Sequence, residues 1–359
     1  MSVKIHMGKA VRDLQNGGET DYVPLDDFRY NLLISGGTRI ERSIFLSKIL
    51  NQVYEKVSDL GVLLIKLQSN EDRYLYHLDA VYEFGDPDLS IPYFIGNKFD
   101  ELHLEQFIKI MNAIFGFHYE MKYVIWILFL KYRKSRFPSS IMDFLADLKA
   151  FMVENPYNEE FNNSCIRSIE EAIRLFENDP ILERILWIPL SDNIQWFERW
   201  NRGEKICIDL TQCSTHYQKT LVSLIQQAIT NLLPESNSSF PSGIVVLDGS
   251  DSLLKTPPHE FYKRRFSANK AYISELKKES YFLTKEQIEE IAGDTDYLTT
   301  YQIEENFIHA LRGKFRYNNV SLITVCQDPS RIYPLLLSMS QIKINLDSQN
   351  THRRTVWQL

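Results

Sequence analysis

Residues 31–45 read NLLISGGTRIERSIF. An apolar run of strand length breaks at Gly36-Gly37 and gives way to RSIFLSKILNQVYEKV, whose apolar residues recur at helical spacing. Strand, glycine turn and helix in that order is the rhythm of a phosphate-binding loop, where glycines let backbone N–H groups reach an anion at a helix N-terminus. The residues that would hold the phosphate are replaced here. The stretch therefore reads in two ways, as a damaged nucleotide site or as a plain turn between a buried strand and a helix.

Further runs of the same kind follow at residues 61–67 (GVLLIKL), 205–210 (KICIDL), 243–248 (GIVVLD), 320–326 (VSLITVC) and 341–346 (QIKINL). Short, continuously apolar strands separated by helical patterns indicate parallel strands covered on both faces, hence an α/β sheet protein. Between them, from about residue 99, apolar residues take helical spacing in DELHLEQFIKIMNAIF, YVIWILFLKY, SSIMDFLADLKAFM and CIRSIEEAIRLF. This predicts an all-helical insertion packed as its own bundle, with Asp100 and Ser139-Ser140 as helix N-caps. A second departure, about residues 255–300, is polar and charged, an exposed excursion. The organisation expected is residues 1–98 as the first part of the core, 99–182 as the helical insertion, and 183–359 as the second part of the core.

The 359 residues are 44% hydrophobic, enough for a large core, and 40 basic against 47 acidic residues leave a net charge of −7. That balance argues against a surface built for uniform coating of DNA, though not against a local basic loop or pore. The longest apolar run, residues 123–130, is far short of a membrane span, and the first residues have no signal-peptide core, so a cytoplasmic location is expected. Cys165, Cys207, Cys213 and Cys326 share no metal-ligand spacing and read as reduced, mostly buried thiols. The eight histidines form no ligand pair, and no metal site is expected.

A Walker A loop, G-x-x-x-x-G-K-[ST], uses its lysine on the β/γ oxygens and its hydroxyl on Mg²⁺. On that frame the chain keeps Gly36 and Ser43, but Glu41 stands at the second glycine, Arg42 at the lysine, and Arg39 at an intermediate position often held by glycine. Further along, GIVVLDGSDSLL has the form of a Walker B strand closing on Asp248, and ITVCQDPSRI sets Gln327 at the end of another apolar strand.

Taken in order, these stretches resemble the HerA/FtsK-type ring ATPases, which include DNA-translocating HerA proteins and the motor ATPases of conjugation and type IV secretion. There they run approximately as hLhxGxTGxGKS, a helical insertion, hhhhDExH and hhxaTQxPS. The resemblance extends to GKAV at 8–11 and to GEKICIDLTQC before a long helix. It implies a RecA-like, mainly parallel sheet with helices on both faces and an all-helical insertion. The N-terminal β-barrel of HerA proteins is not apparent, since about thirty residues precede the first core strand; the motor core remains.

The same resemblance would make Gly36, Gly37, Thr38, Arg42 and Ser43 the nucleotide loop, with Asp248 acting on Mg²⁺ and Gln327 sensing the γ-phosphate. Glu41 opposes this by adding a side chain and a negative charge beside a polyphosphate site. Arg42 keeps the charge without the compact ammonium. Gly249 stands where the family carries the glutamate that activates water, and Asp251 is a remote candidate to replace it. Asp248 and Gln327 also have structural readings, as turn-capping residues. Among basic clusters, Lys263, Arg264 and Arg265, flanked by Tyr262 and Phe266, are the candidate nucleic-acid or partner contact; Arg353-Arg354 is a second basic pair. Trp187, Trp196 and Trp200, in WIPLSDNIQWFERW, read as anchors of a helix to the core.

The leading expectation is a pseudo-ATPase that needs no cofactor. It would act through protein partners or ring-forming subunits and meet DNA through the assembly. The alternatives are a divergent active ATPase and DNA translocase, with ATP and Mg²⁺ as cofactors, and a monomeric adaptor or nucleic-acid-binding protein.

Overall fold

The computed structural model describes residues 3–12, 19–68, 76–91, 111, 117, 121–132, 138–156, 159–186, 194–236, 238, 240–252, 315–329, 340 and 342–346. Nine strands are described: β1 (Lys4–Arg12), β2 (Glu19–Pro24), β3 (Leu32–Ser35), β4 (Val62–Lys66), β5 (Ala80–Glu83), β6 (Lys205–Asp209), β7 (Gly243–Asp248), β8 (Val320–Val325) and β9 (Ile342–Asn345). The described α-helices are α1 (Arg39–Lys56), α2 (Met121–Tyr132), α3 (Ile141–Glu154), α4 (Glu159–Asn178), α5 (Pro180–Leu186), α6 (Gln195–Asn201) and α7 (Thr215–Leu232).

β3 to β9 form one seven-stranded sheet in the order β5-β6-β4-β7-β8-β3-β9, and every pairing in it is parallel. This is the α/β, RecA-like architecture expected. The apolar runs make it so, because β3, β4, β7 and β8 are buried at every position and need cover on both faces. On one face, Leu46, Ile49, Leu50 and Val53 of α1 pack with Leu32, Leu64, Val246 and Ile323. On the other, α6 and α7 join Leu63, Ile65, Val245 and Leu322.

The insertion follows β5, the third strand of the sheet in chain order. Ser140 caps α3, its hydroxyl accepting the Asp143 N–H at 3.0 Å. Phe129 of α2 packs on Phe144 of α3, and Lys149 of α3 reaches Glu170 of α4 at 2.8 Å. The buried residues of α2 to α5 belong to the same core as the α7 face of the sheet, so the insertion does not close a separate core. α5 runs across the boundary expected at residue 182.

Two features depart from the expected strands. β1 and β2 pair antiparallel, and Ile5, Met7 and Val23 add this ribbon to the α1 side. β5 extends the sheet at its edge with Tyr82 as its one buried residue, which leaves no apolar run to read. The charged excursion at 255–300 lies outside the described residues. All four cysteines are buried and none forms a disulfide; burial pushes the Cys213 thiol up to about 12.

Trp196 and Trp200 anchor α6, with the Trp196 indole N–H donating to the Ser90 carbonyl at 2.7 Å; Trp187 lies outside the described residues. Two strand starts are glycine because Trp200 lies against them. A Cβ on Gly61 would stand 1.9 Å from the Trp200 carbonyl oxygen, and one on Gly243 2.3 Å from its Cζ2. Gly61→Ala and Gly243→Ala are each expected to destabilise the protein by about 1–3 kcal/mol in urea unfolding, Gly61→Ala the more because its obstacle is backbone. A neutral effect at both would show that α6 does not dock as described.

Candidate functional site

In open parallel sheets, ligands bind beyond the carboxyl ends of the strands. At this rim the structure gathers the ends of β3, β8 and β7, adjacent in the sheet. Gly36, Gly37 and Thr38 follow β3, Gln327 follows β8, and Asp248 closes β7.

The turn after β3 is short. Gly36 (φ 73°) and Gly37 (φ 62°) both take the left-handed conformation that glycine adopts without strain. A Cβ on Gly37 would stand 2.6 Å from the Leu346 carbonyl oxygen. Thr38 is already the N-cap of α1, and Arg39 its first residue. Three residues thus separate strand from helix, and Arg39 to Ser43 are wound into the first turns of α1. A phosphate loop holds the residues ahead of its Lys-Ser pair, here 39 to 41, as open loop.

A capping box closes this turn. The Glu41 carboxylate accepts the Thr38 N–H at 2.6 Å, while the Thr38 hydroxyl accepts the Glu41 N–H at 3.3 Å. Two of the N–H groups that an anion at this helix start would use are satisfied by the chain itself. These bonds, with Thr38 the main cause and Arg42 a lesser one, hold the Glu41 carboxyl below the usual carboxylate range. The Arg42 guanidinium turns back on the loop, donating from one nitrogen to the carbonyls of Gly36 at 3.0 Å and Gly37 at 2.9 Å. Arg42 and Ser43 are buried, and Glu41 is exposed.

Gln327 joins the turn through its backbone. Its carbonyl accepts the Gly36 N–H at 3.0 Å, and its own N–H donates to the Asp251 carboxylate at 2.9 and 3.0 Å. The Asp328 N–H donates to the same carboxylate at 3.3 Å. Asp251 thus caps the β8 turn. In the sequence Asp251 reads only as a remote candidate for a water-activating carboxylate; its place in the SDS turn after β7 is the signal for a cap. The neighbouring Ser250 hydroxyl donates to the Val325 carbonyl at 3.0 Å.

Gly249 has φ 84°, and a Cβ there would stand 2.7 Å from Cγ of Gln68. A glutamate at this position would need a backbone conformation that L residues rarely adopt, and the Gln68 side chain would have to shift to admit it. Asp248 is buried at the end of β7, on the α1 face. Lys263, Arg264 and Arg265 lie outside the described residues, so no geometry joins them to this rim. Among the described residues there is no cluster of three metal-ligating side chains, and no helix long and apolar enough to cross a membrane.

No family model matches the chain, and no curated protein matches it. Among solved structures, an unbound form of the bacterial conjugative coupling protein TrwB (TrwBdeltaN70) is 12% identical with a TM-score of 0.48, covering 90% of this chain and 70% of that one. The same protein in complex with sulphate is 12% identical, with a TM-score of 0.47 over 96% and 76% of the two chains. Plasmid coupling protein TrwB in complex with ADP and Mg²⁺ is 13% identical, with a TM-score of 0.44 over 96% and 78%. At such distance the likeness carries no inference about what this chain binds or does.

The capping box sets a pH dependence. The folded-state pKa of Glu41 is depressed, so its contribution to stability is present above the ordinary glutamate pKa and is lost as pH falls through the depressed value. Glu41→Gln is therefore expected to melt below the wild type at neutral pH, and the gap is expected to close as pH drops through the carboxylate range. Parallel melting curves at every pH would mean that Glu41 does not cap α1 as a carboxylate.

Proposed function

We propose that this chain is a catalytically degenerate HerA/FtsK-like ATPase, a structural or regulatory subunit of a multiprotein, DNA-related assembly. On this reading it neither binds nor hydrolyses ATP appreciably. The observation that carries it is the closed turn after β3: Glu41 takes the Thr38 N–H, and Arg42 takes the Gly36 and Gly37 carbonyls. An incoming triphosphate would meet a carboxylate where it needs donors, and the cation that should reach it is turned inward.

The supposed water-activating position supports the same reading, since Gly249 is closed off by Gln68. ATP with Mg²⁺ does not fit this donor set. The connection to DNA rests on the order of the HerA/FtsK-like stretches along the chain. Action through protein contacts accords with Ile40, 68% exposed in the first turn of α1, and Ile44 one turn on at 38%, an apolar pair beside the closed turn.

Repairing the loop tests the reading. Arg39→Gly, Glu41→Gly and Arg42→Lys together remove the capping carboxylate and the inward guanidinium and loosen the first turn of α1, where each glycine costs about 1 kcal/mol. The triple variant is expected to melt below the wild type but to be stabilised by ATP. An excess about 100-fold over the dissociation constant gives roughly 2.7 kcal/mol. Hydrolysis is expected only after Gly249→Glu is combined with Gln68→Ala, which clears the clash. A triple variant that folds, by circular dichroism, yet gains nothing from millimolar ATP would remove the claim that this turn is a disabled nucleotide loop.

A further inference from the structure

Lys66 is a lysine with no exposed surface at the end of an otherwise apolar strand. Parallel register sets it directly between two acids, opposite Asp209 of β6 on one side and Asp248 of β7 on the other. The alternation of the strands puts all three on one face. Val62 and Leu64, Cys207, and Ile244 and Val246 belong to the core beneath α1, and Lys66, Asp209 and Asp248 continue those same rows. Asp209 and Asp248 are 3% and 8% exposed.

Two strand spacings of ~4.8 Å put the two aspartate Cα atoms about 10 Å apart, with the lysine midway. Asp209 is held in place by Thr211, whose N–H and hydroxyl donate to its Oδ1 at 3.0 and 2.6 Å. Buried carboxylates need a counter-charge. At a site of this kind that charge is ordinarily sought in a bound divalent cation, and here the chain carries an ammonium of its own in the middle of the row.

We propose that Lys66 is a built-in substitute for a divalent cation, a counter-charge shared by Asp248 and Asp209 so that this rim is assembled without metal. Asp248 then serves the fold rather than Mg²⁺. The inference goes beyond the loop reading, because it concerns a different strand end. It can hold or fail in the absence of any nucleotide.

The test is thermal melting in nucleotide-free buffer, with and without millimolar Mn²⁺ or Mg²⁺. Wild-type protein is expected to shift by less than about 1 °C. Lys66→Met is expected to melt lower and to regain part of the loss with Mn²⁺, by more than about 3 °C, and Lys66→Met/Asp248→Asn to lose that response. Should Lys66→Met fail to fold, the uncharged variant Lys66→Met/Asp209→Asn/Asp248→Asn is expected to fold, because it carries no unpaired acid. The proposal is overturned if the wild type is itself stabilised by Mn²⁺ in an Asp248-dependent way. It is equally overturned if Lys66→Met responds no more than the wild type, or if neither Lys66→Met nor the uncharged variant folds. Nucleotide binding to the repaired loop enters none of these outcomes, so either proposal can fail alone.

Discussion

Three residues, Gly36, Gly37 and Thr38, are all that separate β3 from α1, and the rest of the rim is arranged around that shortness. A turn so tight needs two consecutive left-handed residues, which glycine supplies. It also forces the helix to begin at once, bringing its first N–H groups to the strand end. Those donors must be satisfied, and Thr38 and Glu41 do it reciprocally. Glu41, the residue least suited to a phosphate site, is thus the one that best completes the helix start.

The same logic runs through the neighbouring strand ends. Two charged side chains are here engaged with backbone, Arg42 on two carbonyls and Asp251 on two amides, and the Gln327 backbone carbonyl accepts the Gly36 N–H. Each bond contributes about 1 kcal/mol, and those to charged groups somewhat more. Together they tie β3, β8 and the turn after β7 into one unit.

Much of the fold was legible because its signals are local. Six strands of the sheet announce themselves as short apolar runs, and Ser140 reads as a cap from its place before IMDFLADL. The edge strand β5 was not legible, since only Tyr82 is buried there. β1 was not recognised as a strand either, because its partner β2 contributes few apolar residues to mark the pair. At the site, the identities of Glu41, Arg42 and Gly249 already argued against chemistry. Their partners could not be read. Whether Arg42 faces outward or back onto Gly36 depends on where the helix starts, and Gln68 meets Gly249 only because β4 and β7 are neighbours. Lys66 looks like an interruption in GVLLIKL until strand order sets it between Asp209 and Asp248.

The central claim is that the turn after β3 is closed by its own side chains against nucleotide. Calorimetric titration of the wild-type chain with ATP and Mg²⁺ tests this most directly. No saturable heat is expected up to millimolar nucleotide, where binding free energies fall to about −4 kcal/mol. A saturable isotherm with a dissociation constant near the micromolar range, about −8 kcal/mol, would contradict it, whatever the rate of turnover.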